Sequence, residues 1–298
     1  MNIPSYTRSN FRRSALGSPQ RRTGTGRRRP SGRRRTGGAT SGRLRLERLQ
    51  KAVVVALAVA AVLGTWFLLR PTSPGSTPAC GIVVDVDQGT TEVPGLLAQY
   101  KKWVSAEVTA CAERGANLVV VPATADSESS PVLPVVQRFD EKQTGNSSAD
   151  LRAATKSAKE LLPEVSRRLN AAASRSTKGG TDLIGALVVV GQQLPERKKG
   201  APCVVTIFSD GISTGTPNLS AAPLDRDGIN RIVKGIRESG RLPALRGCKV
   251  SVVGAGVGKW ADELGPERLQ AVRRFWSNFA DASGARLDGW SKAAAGMP

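Results

Sequence analysis

The apolar and polar positions of this chain fall into three regimes, and the first is an unbroken apolar run. Residues 52–69 (AVVVALAVAAVLGTWFLL) hold eighteen positions without a charge, bounded by Lys51 and Arg70. As a helix such a run rises about 27 Å, close to the hydrocarbon thickness of a bilayer. Trp66 and Phe67 lie near its far end, where interfacial aromatics settle. A buried core helix is rarely this long without a polar residue. A cleaved signal peptide with Thr77-Pro78-Ala79-Cys80 as its processing site is the other rival. It is disfavoured by the fifty residues that precede the run and by a Pro beside the cleavage point. The pattern therefore predicts an uncleaved transmembrane helix over residues 51–70, preceded by a tail over 1–50. A short Pro/Ser/Thr linker over 71–79 follows it.

Beyond the linker, short β-branched runs alternate with stretches of 3.6-residue periodicity, the signature of a mostly parallel sheet with helices on both faces. Strands are expected over 81–86, 117–122 (ended by Pro122), 131–139, 203–209, 249–254 and 285–290. The prolines at the entry of the third suit an edge. Helices are expected over 93–114 (Leu97, Tyr100, Val104 and Val108 on one stripe), 151–173, 183–194, 228–238 and 266–282. Pro163 should kink or divide the second of these. The fold class is α/β, a doubly wound, mostly parallel sheet forming one domain over residues 80–298.

Charge sharpens the topology. Residues 1–51 hold fourteen Arg and one Lys against a single acid, Glu47, out of a net charge of +20 for the whole chain. Runs such as Arg27-Arg28-Arg29 sit among Gly, Ser, Thr and Pro, a composition that cannot repay the entropy of ordering, so the tail is read as disordered. Arg70 is the only basic residue in the segment after the span, and the positive-inside rule places the tail in the cytoplasm and the domain outside it. The tail can also lie on anionic lipid headgroups, and nucleic acid need not be invoked. All four cysteines (Cys80, Cys111, Cys203, Cys248) lie beyond the span. An even count outside the cytoplasm suggests two disulfides, with three pairings open. No C-x-x-C spacing and no His exist, which argues against zinc and rules out Ser/His/Asp or Cys/His catalysis. The chain reads as a bacterial cell-envelope protein.

Three segments carry the candidate chemistry. Ile82-Val83-Val84-Asp85-Val86-Asp87-Gln88-Gly89-Thr90-Thr91 is an apolar strand ending in acids and hydroxyls. Gly179-Gly180-Thr181-Asp182-Leu183 sets a hydroxyl and a carboxylate before a helix, and Val204-Val205-Thr206-Ile207-Phe208-Ser209-Asp210-Gly211 is a strand that stops on Ser-Asp-Gly. In this order they resemble the von Willebrand factor A (vWA) family, in which such loops form a metal-ion-dependent adhesion site. The resemblance covers roughly residues 80–290.

It implies that Thr181 and Asp210 occupy the family's Thr and Asp positions. The first loop departs from the family's Asp-x-Ser-x-Ser. Read from Asp85 it has Asp87 and Gly89 in the Ser places; read from Asp87 it keeps a hydroxyl only at Thr91. The expected ligands are thus Asp85, Asp87, Thr91, Thr181 and Asp210, for Mg²⁺ or another divalent cation, and the expected partner is another protein. A vWA-like strand order also makes the strands begun by Cys203 and Cys248 neighbours, which implies the pairs Cys203–Cys248 and Cys80–Cys111.

Simpler roles exist for these residues: Thr181 as a helix N-cap and Asp210 as the opening of a turn with Gly211. An enzyme reading also exists. Asp85-Val86-Asp87 resembles the Asp-x-Asp-x-Thr nucleophile loop of haloacid-dehalogenase-like phosphatases, but Gly89 stands where the Thr belongs and only one acid follows at Asp210. Gly254-Ala255-Gly256-Val257-Gly258 is too weak a glycine motif to argue for nucleotide.

Overall fold

The computed structural model describes residues 77–139, 147–176, 180–197 and 200–292. The expected tail, transmembrane span and most of the linker lie outside them. Among the described residues no helix is long and apolar enough to cross a membrane.

Among the described residues six strands form one sheet: β1 Ala79–Asp85, β2 Asn117–Ala123, β3 Val135–Arg138, β4 Cys203–Phe208, β5 Lys249–Val253 and β6 Arg286–Ser291. Their spatial order is β3-β2-β1-β4-β5-β6. All neighbours pair in parallel except β2 and β3, whose antiparallel ladder makes β3 an edge. The helices are α1 Gln88–Thr91, α2 Leu96–Glu113, α3 Ser147–Arg175, α4 Leu183–Gln193, α5 Arg226–Glu238 and α6 Lys259–Ala282.

Each face of the sheet has its own core, because successive strand residues point to opposite sides. On β1, Val83 faces the cluster formed with α4, α5 and α6, while Ile82 and Val84 face the cluster formed with α2 and α3. The first of these is closed by Trp276, Phe275 and Phe279 of α6, whose rings meet at 5.5–5.9 Å. Gly81 marks where α4 comes nearest to β1: a Cβ there would sit 2.6 Å from a methyl of Val190.

The disulfides are Cys80–Cys111, tying β1 to α2, and Cys203–Cys248, tying the start of β4 to the residue before β5. Both stand toward the amino end of the parallel strands, as the vWA-like order implied.

Three expectations need adjustment. α3 runs through Pro163 as one helix. Pro163 is exposed, so the carbonyl it frees can turn to water and the helix need not break. Pro122 lies inside β2 rather than ending it, in register with Val84. β3 stops opposite Val120, so the N–H that Pro122 lacks falls beyond the stretch paired on that side. Finally, the expected helix from Pro266 is preceded by an unexpected helical segment from Lys259, the two separated by a non-helical break at Gly265.

Candidate functional site

The strand order reverses between β1 and β4, and in an open α/β sheet ligands settle at the carboxyl ends of the strands where this happens. β1 ends on Asp85 and β4 runs directly into Ser209-Asp210. Asp85 is the hub. Its Oδ2 accepts from Ser209 Oγ at 2.8 Å, and its Oδ1 accepts from Thr181 Oγ1 at 3.2 Å and from the Asp87 N–H at 3.2 Å. Asp210 Oδ1 accepts from the Ile212 N–H at 2.8 Å and from Ser209 Oγ at 3.3 Å. Asp87 caps α1 through Oδ1, which accepts from the Thr90 N–H at 2.8 Å. Among the described residues, Asp87 Oδ2 and Asp210 Oδ2 carry no hydrogen bond.

All five groups are buried, and Asp210, at 8% exposure, is the most open of them. Beside it runs the glycine-rich loop: Gly256 N–H donates to the Asp210 carbonyl at 3.1 Å. No Lys or Arg among the described residues pairs with the three acids. The electrostatics follow from that isolation. Burial, then the charges of Asp87 and Asp210, push the Asp85 carboxyl well above the ordinary carboxylate range. Burial is also the main reason that Asp210 is pushed up to about 7, with Asp87 adding to it and the Ile212 N–H opposing it.

Thr181 is held by its backbone. Its carbonyl accepts from the N–H groups of Thr214 and Gly215 and from Ser213 Oγ, and its N–H donates to Thr214 Oγ1 at 2.7 Å. The N-cap of α4 is Asp182, not Thr181, which leaves the Thr181 hydroxyl free to reach Asp85. Asp182 is in turn gripped by Arg241, whose guanidinium also meets Glu128 and the Thr216 carbonyl. These contacts lock the loops after β2, before α4 and after β4 into one wall.

Four of the five expected ligands therefore converge: Asp85, Asp87, Thr181 and Asp210. The structure does not bring Thr91 to them. α1 turns Thr90 inward, and Thr91 is exposed with its hydroxyl donating to the Gln88 carbonyl. Ser209 is the hydroxyl that the first loop lacks, and it arrives from β4 instead. Its place directly before Asp210, at the end of an apolar run, is the signal that could have found it.

The donor set is all oxygen, which suits a hard cation. No group of three or more Asp, Glu, His or Cys side chains among the described residues is arranged to hold a metal ion by itself. An ion here would need hydroxyls and water among its ligands.

No family model and no curated protein matches the chain. Among solved structures it is similar to the conserved hypothetical protein BatB from Bacteroides thetaiotaomicron, at 13% identity and a TM-score of 0.36. That match covers 73% of this chain and 91% of BatB. It is also similar to the pilus adhesin SpaC from Lactobacillus rhamnosus GG, at 12% identity and a TM-score of 0.42, over 73% of this chain. The open conformation of SpaC gives 11% and 0.33 over 70%. The chain spans less than a third of the adhesin's length, 28% in the first SpaC form and 30% in the second.

Proposed function

We propose that this chain presents a vWA-like module that binds another protein at the carboxyl edge of its sheet, with a divalent cation held in the cleft. The observation that carries the reading is the meeting of Asp85, Asp87 and Asp210 with two hydroxyls, buried and without a basic partner among the described residues, at the point where the strand order reverses. Three acids in one buried place repel one another unless protons or a cation neutralise them. Asp87 Oδ2, Asp210 Oδ2 and the oxygens of Thr181 and Ser209 would hold the ion, with water completing its shell and Asp85 orienting both hydroxyls. A bound cation would neutralise the acids and offer a coordination position to a carboxylate of the partner. In the same reading residues 51–70 anchor the module to the membrane, N-terminus in the cytoplasm.

The phosphatase reading has less support. Asp85 already accepts three hydrogen bonds, which leaves little of its carboxylate free for attack on phosphorus, and Asp87 is committed to capping α1.

Calorimetry of the full-length protein with Mg²⁺ and Mn²⁺, beside an assay on generic phosphoesters, tests both. Saturable binding lost in Asp210→Ala, with no phosphoester turnover, is the expected result. No heat and no thermal shift with millimolar Mg²⁺, Ca²⁺ or Mn²⁺ would remove the cation from the proposal. Turnover lost in Asp85→Asn would replace it with the enzyme.

A further inference from the structure

Tyr100 of α2 lies in the core between α2 and the sheet, its ring 5.8 Å from that of Trp103 and 6.3 Å from that of Phe208. It is fully buried, yet among the described residues its hydroxyl has no hydrogen-bond partner. Buried phenols normally find one, because an unmet hydroxyl in a dry interior forfeits its hydration.

The position of the hydroxyl shows what it can reach. A Cβ on Gly254 would lie 2.6 Å from Tyr100 Oη and 3.1 Å from the Ser209 carbonyl, so the phenol tip reaches the carboxyl ends of β4 and β5. Gly254, at φ 95°, is the residue that makes room for it. The charges of Asp85, Asp210 and Asp87, after burial itself, all suppress ionisation of the phenol, which places it within their field. It stays a neutral hydroxyl, whose oxygen can accept a hydrogen bond from a water on that side.

We infer that Tyr100 Oη accepts a hydrogen bond from a water coordinated to a divalent cation in the Asp87–Thr181–Asp210 cleft, making Tyr100 a positioning residue of that site. This rests on the cation reading above. A water placed there meets the requirement that a buried water find two or more polar partners: the phenol on one side, the ion and a carboxylate on the other. Packing against Trp103 and Phe208 holds the ring, so the hydroxyl is in place before the ion arrives.

The consequence is selective. Mg²⁺ dehydrates reluctantly and keeps several waters, whereas Ca²⁺ takes more protein oxygens directly. A residue that acts through a bound water should therefore matter more for Mg²⁺. The test is Tyr100→Phe in the full-length protein, titrated calorimetrically with Mg²⁺ alone and Ca²⁺ alone, with the melting temperature of the EDTA-treated protein alongside. Losing one charge-assisted hydrogen bond should weaken Mg²⁺ binding about tenfold and Ca²⁺ binding by a smaller factor. The ion-free variant should melt no lower than wild type, since phenylalanine has no hydroxyl to leave unpaired.

Equal Mg²⁺ affinity in the two proteins overturns the inference while leaving the cation reading intact. Equal losses for both ions together with a lower ion-free melting temperature also overturn it, marking the hydroxyl as a structural bond. A wild type that binds neither ion overturns both readings at once.

Discussion

Replacing Asp210 by Asn tests the electrostatics of the cleft most directly. Asn keeps a carbonyl oxygen for the Ile212 N–H at 2.8 Å and for Ser209 Oγ at 3.3 Å, so the turn it opens survives and only the charge goes. In the ion-free protein the fold favours the neutral acid, because Asp210 is raised from 3.8 to about 7. The sign follows directly. The stabilisation is complete below the unfolded value of 3.8 and is lost as pH rises through about 7. At 1.36 kcal/mol per pH unit, moving from about pH 5 to about pH 8 should cost the ion-free wild type about 3 kcal/mol. Asp85, raised by the same burial and partly by Asp210 itself, adds in the same direction.

Urea unfolding in EDTA, followed by tryptophan fluorescence across that range, measures the slope. Asp210→Asn should flatten most of it, and should be more stable than wild type at the alkaline end and nearly equal at the acid end. Excess Mg²⁺ should stabilise wild type progressively more as pH rises, and the variant hardly at all. A wild-type profile that is flat or rises with pH, or a variant that keeps the full slope, would refute the claim that an uncompensated buried carboxylate sits at this strand end.

Two further predictions concern the scaffold and its placement. Cys203→Ala/Cys248→Ala should destabilise the domain by roughly 2–4 kcal/mol, read by chemical denaturation, while the exported wild type should show no alkylatable thiol before reduction. A reporter fused after Pro298 should be active only outside the cytoplasm, and protease added to cells stripped of wall should remove the domain. Complete protection would mean that the orientation is inverted or that residues 51–70 are not a span.

Much of this protein is legible along the chain because the forces that specify it act between near neighbours. Strands β1, β2 and β4 are largely apolar, β-branched runs buried on both faces, and such runs have one stable destination, the interior of a sheet covered on two sides. That Asp85 and Asp210 stand at the same edge follows from strand direction alone, since parallel strands put their carboxyl ends together.

What the sequence leaves open are contacts made across distance. Thr181 and Ser209 meet Asp85 over separations of 96 and 124 residues, and only the strand order places them there. The choice of Thr90 over Thr91 depends on the helical phase of α1, set by Asp87 capping Thr90 rather than by any local preference between two threonines. Tyr100 reads from its spacing as one more core residue of an amphipathic helix. Its hydroxyl reaches the carboxyl ends of β4 and β5 only because its ring packs beside Phe208 and Gly254 carries no Cβ. Periodicity reports which face of an element is buried, and tertiary packing decides which polar atom is left at the end of that face, and beside what.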